Sequence, residues 1–196
     1  PPINPYYLQN QLYAINQTEN LNFLTRFREL LDSYPNKTSI GEIGDSHRAI
    51  EIMQEYTRDS KLHMAYSFEL LGKEFSASFI QSTLEKFFEN NKESWPCWSF
   101  SNHDVERHVS RWDPKESKEF AKLTSALLLS LKGTPCLYQG EELGQTETKL
   151  EFKELTDPPG IRYWPENKGR DGCRTPMTWN RNSLNAGFST FKPWLP

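Results

Sequence analysis

The apolar run Cys97-Trp98-Ser99-Phe100 breaks abruptly into Ser101-Asn102-His103-Asp104, and two arginines, Arg107 and Arg111, follow within the next seven residues. Polar groups at the end of a buried strand must be solvated, hydrogen-bonded or put to use. A second carboxylate, Glu42, stands between two glycines in Gly41-Glu42-Ile43-Gly44. Flanking glycines let other groups approach the backbone closely. A carboxyl partly desolvated there by aromatic neighbours would have the raised pKa that a general acid needs. By spacing alone, a solvated turn residue fits Glu42 equally well. Two carboxylates facing each other across a sugar are the minimum machinery for breaking a glycosidic bond, and Glu42 and Asp104 are the candidate pair.

Other chemistries fit the residues less well. His47, His63, His103 and Asp104 form no pair with helical i, i+4 spacing and no metal-loop pattern, so no metal or cofactor is expected. There is no Gly-x-Ser-x-Gly elbow, and Cys97, Cys136 and Cys173 all lie in apolar contexts, which argues against a nucleophilic serine or cysteine. Glu69 and Glu141 also follow apolar runs and are expected to be structural supports.

The bulk properties narrow the partners. A net charge of -3 gives no footprint for nucleic acid or an anionic membrane. The apolar run Ala126 to Leu131 is far too short to span a bilayer. An odd, unpatterned set of cysteines indicates neither a disulfide framework nor a zinc site, and predicts a reducing, cytoplasmic setting. Aromatic residues make up 13% of the chain. Core packing and the stacking of sugar faces on flat rings both account for that content.

Positioning the candidate residues requires regular elements, and the sequence alternates them. Thr18 to Leu31 has apolar residues at helical spacing, with Thr18 as the predicted N-cap. A short strand is expected at Thr38 to Glu42, a helix from about Ser46 to Tyr56, and a strand at His63 to Phe68. Phe75 to Phe88 reads as a helix and Trp95 to Ser101 as a strand. Asp113-Pro114 is expected to start a longer helix running to about Leu131. After Gly133-Thr134-Pro135 a last strand is expected at Cys136 to Gln139, and a helical lead-in is expected around Tyr6 to Ile15. Four helix-then-strand repeats argue for an α/β fold with a parallel sheet covered by helices. The candidate carboxylates then fall at the C-terminal ends of strands, where parallel α/β folds place their sites. Residues 1–140 form the expected scaffold, and 141–196, rich in Pro, Gly and charge, a long functional loop region.

The stretches "SIGEIGD", "HMAYSFELL", "FSNHDVERHVSRW", "GTPCLYQGEELG" and "GRDGCRTPMTWN" resemble, in order, the catalytic barrel of α-amylase-type glycoside hydrolases, in the bacterial α-glucosidase and oligo-1,6-glucosidase branch. The resemblance implies that the four strands are the fifth to eighth of a (β/α)8 TIM-type barrel. It implies Glu42 as general acid and base, and Asp104 as the carboxylate that stabilises the transition state. His103 would hydrogen-bond hydroxyls of the same sugar, Arg174 would contact that sugar's far side, and Arg107 would sit at the site rim. The expected substrate is a small α-gluco-oligosaccharide.

One departure from the family pattern is large. The family's nucleophile is an Asp in a Gly-Phe-Arg-x-Asp-like segment, and no such segment occurs here; Arg28 with Asp32 and Arg58-Asp59 do not fit. The chain opens on Pro1-Pro2 rather than methionine and shows no secretory signal, and the expectation is a processed second half of a barrel, inactive without its N-terminal half. The alternative is a non-catalytic barrel relative serving as a binding or scaffold module. Such relatives usually lose the acid and the stabiliser, whereas Glu42, His103 and Asp104 are all present.

Overall fold

The computed structural model describes residues 8–9, 11–45, 47–89 and 93–196. The chain gathers into two compact units. One holds residues 8–99 and 127–136, and the other holds 100–126 and 137–196.

The first unit contains the strands. Helix α1 (Thr18–Asp32) leads into β1 (Ile40–Ile43), followed by α2 (Ala49–Thr57), β2 (Met64–Ser67), α3 (Ala77–Phe88) and β3 (Cys97–Trp98). Thr18 is the first helical residue of α1 and not its cap. The cap position is Gln17, whose side chain turns back to the carbonyls of Leu12 and Ile15 at 2.9 and 2.7 Å. Strands β1 and β2 are parallel and place Glu42 opposite Tyr66. Helix α2 begins later than predicted; Ser46 lies outside the described residues, and the Asp45 carboxylate accepts the N–H groups of His47 and Arg48 just ahead of the first turn. The helix then buries Ile50, Ile52 and Met53. Ser76 caps α3 by accepting the Phe79 N–H at 3.1 Å, and Phe87 from this helix packs edge-on against Trp98.

The last strand, β4 (Thr134–Pro135), pairs with β3 two residues earlier than predicted. Gly133 explains the offset. Its φ of +138° suits glycine, and a Cβ there would lie 2.9 Å from both the Pro96 ring and the Trp98 indole nitrogen. That close approach lets Thr134 N–H reach the Pro96 carbonyl at 2.9 Å immediately after the turn. Among the described residues one isolated bridge, Ala65 to Pro96, runs between the two strand pairs. All strand pairings are parallel, as the alternation predicts, but among the described residues they form two two-stranded sheets without closing into a ring.

The second unit carries α4 (His108–Trp112), the start of α5 (Lys118–Ser130) and α6 (Pro158–Tyr163). The helix expected from Pro114 starts at Lys118 instead. The Asp113 carboxylate is occupied by Lys115 N–H, Ser117 N–H and Ser117 O–H, forming a turn; Ser117 then accepts from Phe120 N–H at 3.3 Å. Residues 141–196 are not a plain loop. Besides α6 they contain 3-10 turns at Glu141–Leu143, Phe152–Glu154 and Asp171–Cys173, and a turn through Asn185 and Ala186 in the left-handed region. Among the described residues no helix is long and apolar enough to cross a membrane.

Candidate active site

In the second unit the Asn-His-Asp segment is fixed by its own side chains. Asn102 accepts the Asp104 N–H at 2.9 Å, turning the chain as it leaves Phe100 and Ser101, which are buried. His103 points outward, more than half exposed, with its Nε2 3.7 Å from Asp104 Oδ1. Two arginines converge on that same oxygen. Arg170 Nη1 lies 3.0 Å from it and Arg174 Nη2 lies 2.9 Å away. Arg174 also donates from Nε to the His103 carbonyl at 2.7 Å. Arg174 and Asp104, each expected to meet the same sugar, touch one another here, and Arg170, for which the sequence raised no expectation, joins them.

Arg170 is oriented from beneath. Its Nε and Nη2 fork onto Asp157 at 3.1 and 2.7 Å, and its backbone N–H reaches the same carboxylate at 2.9 Å. These bonds hold the Asp157 carboxyl below its usual range against the opposing effect of burial, and they raise the Arg170 pKa. Gly169 makes the approach possible. Its φ is +71°, and a Cβ there would come within 2.7 Å of Asp157 Oδ2. Asp157 is set in turn by buried Asp171, which accepts the N–H groups of Thr156 and Asp157 at 2.6 and 2.8 Å and the Thr156 hydroxyl at 2.9 Å. A chain of polar contacts therefore runs from Asp171 through Asp157 and Arg170 to Asp104. Its sequence signal was the charge inside the turn "GRDG", which local spacing does not connect to Asp157.

Arg107, expected at the rim, is buried at 1% exposure. Its guanidinium donates to the carbonyls of Gln139 and Cys173 at 2.6 and 3.1 Å and stacks over the Tyr138 ring. It ties three segments of backbone together and has no surface left for a substrate. Next to it, buried His108 accompanies Glu141: Nδ1 lies 2.9 Å from Glu141 Oε1, and Nε2 is 2.8 Å from the Thr124 hydroxyl. Glu141 also accepts the Tyr138 N–H at 2.6 Å.

Glu42 belongs to the first unit. It lies exposed on β1 and accepts the Tyr66 hydroxyl from the facing position of β2 at 2.7 Å. Its two flanking glycines differ. A Cβ at Gly41 would meet Leu62 at 2.5 Å, whereas Gly44 faces open space. Glu69 sits in a 3-10 turn after β2, its N–H directed to the Ser67 hydroxyl. Among the described residues no three His, Cys, Asp or Glu side chains gather as a metal site, and Cys97 and Cys173 are buried.

Comparison with known proteins supplies the family. The model of the alpha-amylase catalytic domain matches residues 3–196. A probable alpha-glucosidase of Rhizobium meliloti is 48% identical over 200 residues, covering 100% of this chain and 36% of that protein. An oligo-1,6-glucosidase of Heyndrickxia coagulans is 33% identical over 86% of this chain and 36% of its own length. The crystal structure of the alpha-glucosyl transfer enzyme XgtA superposes with a TM-score of 0.92 at 50% identity, covering 98% of this chain and 36% of that one. Trehalulose synthase MutB from Pseudomonas mesoacidophila, at 23% identity and a TM-score of 0.73, shares the fold. The chain thus spans about a third of the length of these relatives. Matched along nearly its whole length, it belongs to the α-amylase catalytic-domain family, whose fold is the TIM-type barrel.

Proposed function

We propose that this chain supplies strands five to eight of the (β/α)8 barrel of a retaining α-glucosidase acting on small α-gluco-oligosaccharides. Asp104 carries the reading. Both arginines bind its Oδ1, and Oδ2 has no partner among the described residues, so one oxygen is fixed while the other can accept a sugar hydroxyl. A carboxylate preorganised in this way strengthens its hold as a bound sugar flattens and gains positive charge. His103, exposed beside it, donates to a neighbouring hydroxyl, and Arg174 binds the sugar from the other side of the carboxylate. Glu42 is the general acid and base, with Tyr66 O–H steadying one oxygen. The nucleophile comes from polypeptide outside this chain, at the end of the fourth strand. Retention requires it about 5 Å from the acid.

The glycosyl-enzyme formed by such a pair can be released by water or by a sugar hydroxyl. Hydrolysis and glucosyl transfer therefore share this machinery, in keeping with relatives named for either reaction. The test is turnover of p-nitrophenyl α-glucoside and maltose by this chain, by a protein extended to the full length of the relatives, and by its Glu42→Gln form. The extended protein turns over both with retained anomeric configuration, and the 196-residue chain does not. Glu42→Gln loses most on maltose, whose leaving group needs protonation. Robust turnover by the chain alone, or an indifferent Glu42→Gln protein, overturns the assignment.

A further inference from the structure

Glu147 touches both segments that carry the Asp104 cluster. Its Oε2 accepts the backbone N–H of Arg107 at 2.9 Å, three residues beyond Asp104. Its other oxygen packs against Gly172 in the Asp171–Cys173 turn, where a Cβ would collide with it. Its own N–H is held by the Ser110 hydroxyl at 2.8 Å, which anchors it to α4. The carboxyl also faces a cavity of about 300 Å³ that it shares with Glu106, Glu116 and Arg170.

We propose that Glu147 is a positioning residue for Asp104, one that joins the loop bearing this carboxylate to the turn bearing Arg170 and Arg174 and loosens that junction when it ionises. The importance given to Asp104 rests on the function proposed above. The junction itself rests only on the contacts of Glu147.

The surroundings favour the neutral acid. Burial pushes the Glu147 carboxyl up to about 7; the charge of Glu106 adds to this, and the Arg107 N–H with the charges of Arg107 and Arg111 opposes it. Glu116 adds a further negative charge at the cavity wall, and the Cys173 thiol lies close enough for its own pKa to be raised by Glu147. As a neutral group, Glu147 can rest against Gly172 without a counter-ion. Once ionised it must recruit a cation or admit water. The neighbouring guanidinium groups are already engaged. Arg107 holds two carbonyls, Arg111 holds the Phe100 and Glu106 carbonyls, and Arg170 holds Asp157 and Asp104. Lys149 and Lys168, also on the cavity wall, are exposed and remain hydrated. Ionised Glu147 therefore competes for Arg170, the cation that the cavity shares with Asp104.

The experiment follows side-chain carboxyl signals and arginine Nε–H signals by NMR in the purified chain from pH 5.5 to 8.5. The Glu147 carboxyl and the Arg170 and Arg174 Nε–H signals are expected to move together, with one midpoint near 7. In Glu147→Gln, which keeps the shape of the neutral acid, the arginine signals stay at their low-pH positions. In Glu106→Gln, which removes the neighbouring negative charge, the shared midpoint falls. Arginine signals that stay still while Glu147 ionises in the unaltered chain overturn the proposal without any variant. So does an unchanged arginine titration in Glu147→Gln or an unmoved midpoint in Glu106→Gln. None of these readouts involves a sugar, so an absence of α-glucosidase activity would leave them unaffected.

Discussion

Replacing Asp171 separates the loss of a buried charge from the loss of the hydrogen bonds it accepts. The side chain is 1% exposed and receives three donors, two of them backbone N–H groups of Thr156 and Asp157 on a single oxygen. In Asp171→Ala the Asp157 N–H stays buried with no acceptor, at about 1–3 kcal/mol, and the Thr156 N–H, on a more exposed residue, loses a bond to a charged group, at about 1.5–3 kcal/mol, while the Thr156 hydroxyl can rotate elsewhere. The expected destabilisation is about 4 kcal/mol. In Asp171→Asn the amide oxygen can accept both N–H groups, and its NH2 can donate to the Thr156 hydroxyl. The bonds survive without charge assistance, so about 1–2 kcal/mol should be lost. For a chain of this size each kcal/mol corresponds to roughly 2–4 °C in Tm. Asp171→Ala should therefore melt about 8–16 °C lower and Asp171→Asn roughly 2–8 °C lower, with the same order in urea titrations followed by tryptophan fluorescence. Equal losses in the two variants, or a loss below about 1 kcal/mol in Asp171→Ala, would refute the view that these bonds hold the turn.

The direction of the Glu147 shift predicts an unusual pH dependence of stability. Its folded pKa of about 7 lies above the ordinary 4.5, so its contribution is fully present below pH ~4.5 and is lost as pH rises through 7. The span corresponds to at most about 3 kcal/mol, less what the open side of the cavity screens, and Glu147→Gln should flatten it in urea titrations at pH 5 and pH 8. The depressed Asp157 carboxyl acts oppositely, contributing stability above its ordinary pKa of 3.8 that is lost as pH falls further. The isolated chain should also self-associate. Ile40 on β1 is 50% exposed and Phe191 is 80% exposed, and light scattering should show mass rising with concentration; a strict monomer at all concentrations would contradict this.

The parallel strands were legible because helix and strand periods alternate clearly from Thr18 to Gly140, and all four strands fall within or beside the predicted spans. The ends were not, because they are decided by single side chains. Gln17 folds back onto the lead-in, Asp113 draws Ser117 into a turn, and Gly133 brings Thr134 against Pro96. Arg107 shows the larger gap. An arginine three residues past Asp104 reads locally as a solvent-facing charge, yet its partners are carbonyls 32 and 66 residues further along the chain. The Asp104–Arg170 contact, also 66 residues apart, was equally invisible to spacing. Apolar periodicity records which face of an element is buried. It carries no record of which distant carbonyl will satisfy a buried guanidinium.

The second unit shows why its polar contacts matter more for geometry than for stability. Residues 141–196 lack the periodic apolar faces that anchor α2 and α3, and much of what they bury is charged: Glu141, Asp157 and Asp171. Buried ion pairs contribute little net free energy once desolvation is counted, but breaking one is costly, so they constrain orientation more than they stabilise. Arg170 applies that constraint where the proposed chemistry lies. One edge of its guanidinium is spent on Asp157, which fixes the plane of the group and leaves Nη1 directed at Asp104. Arg174 approaches the same oxygen while bound to the His103 carbonyl, so the carboxylate is aligned both from beneath and from its own loop. Asp157 never reaches the surface, yet removing it frees Arg170 to rotate about its own axis and leaves Asp104 with one oriented partner instead of two. The geometry of the half-buried Asp104 carboxylate is thus inherited from a fully buried one, and a change at Asp157 should alter the Asp104 site without any contact to a bound sugar.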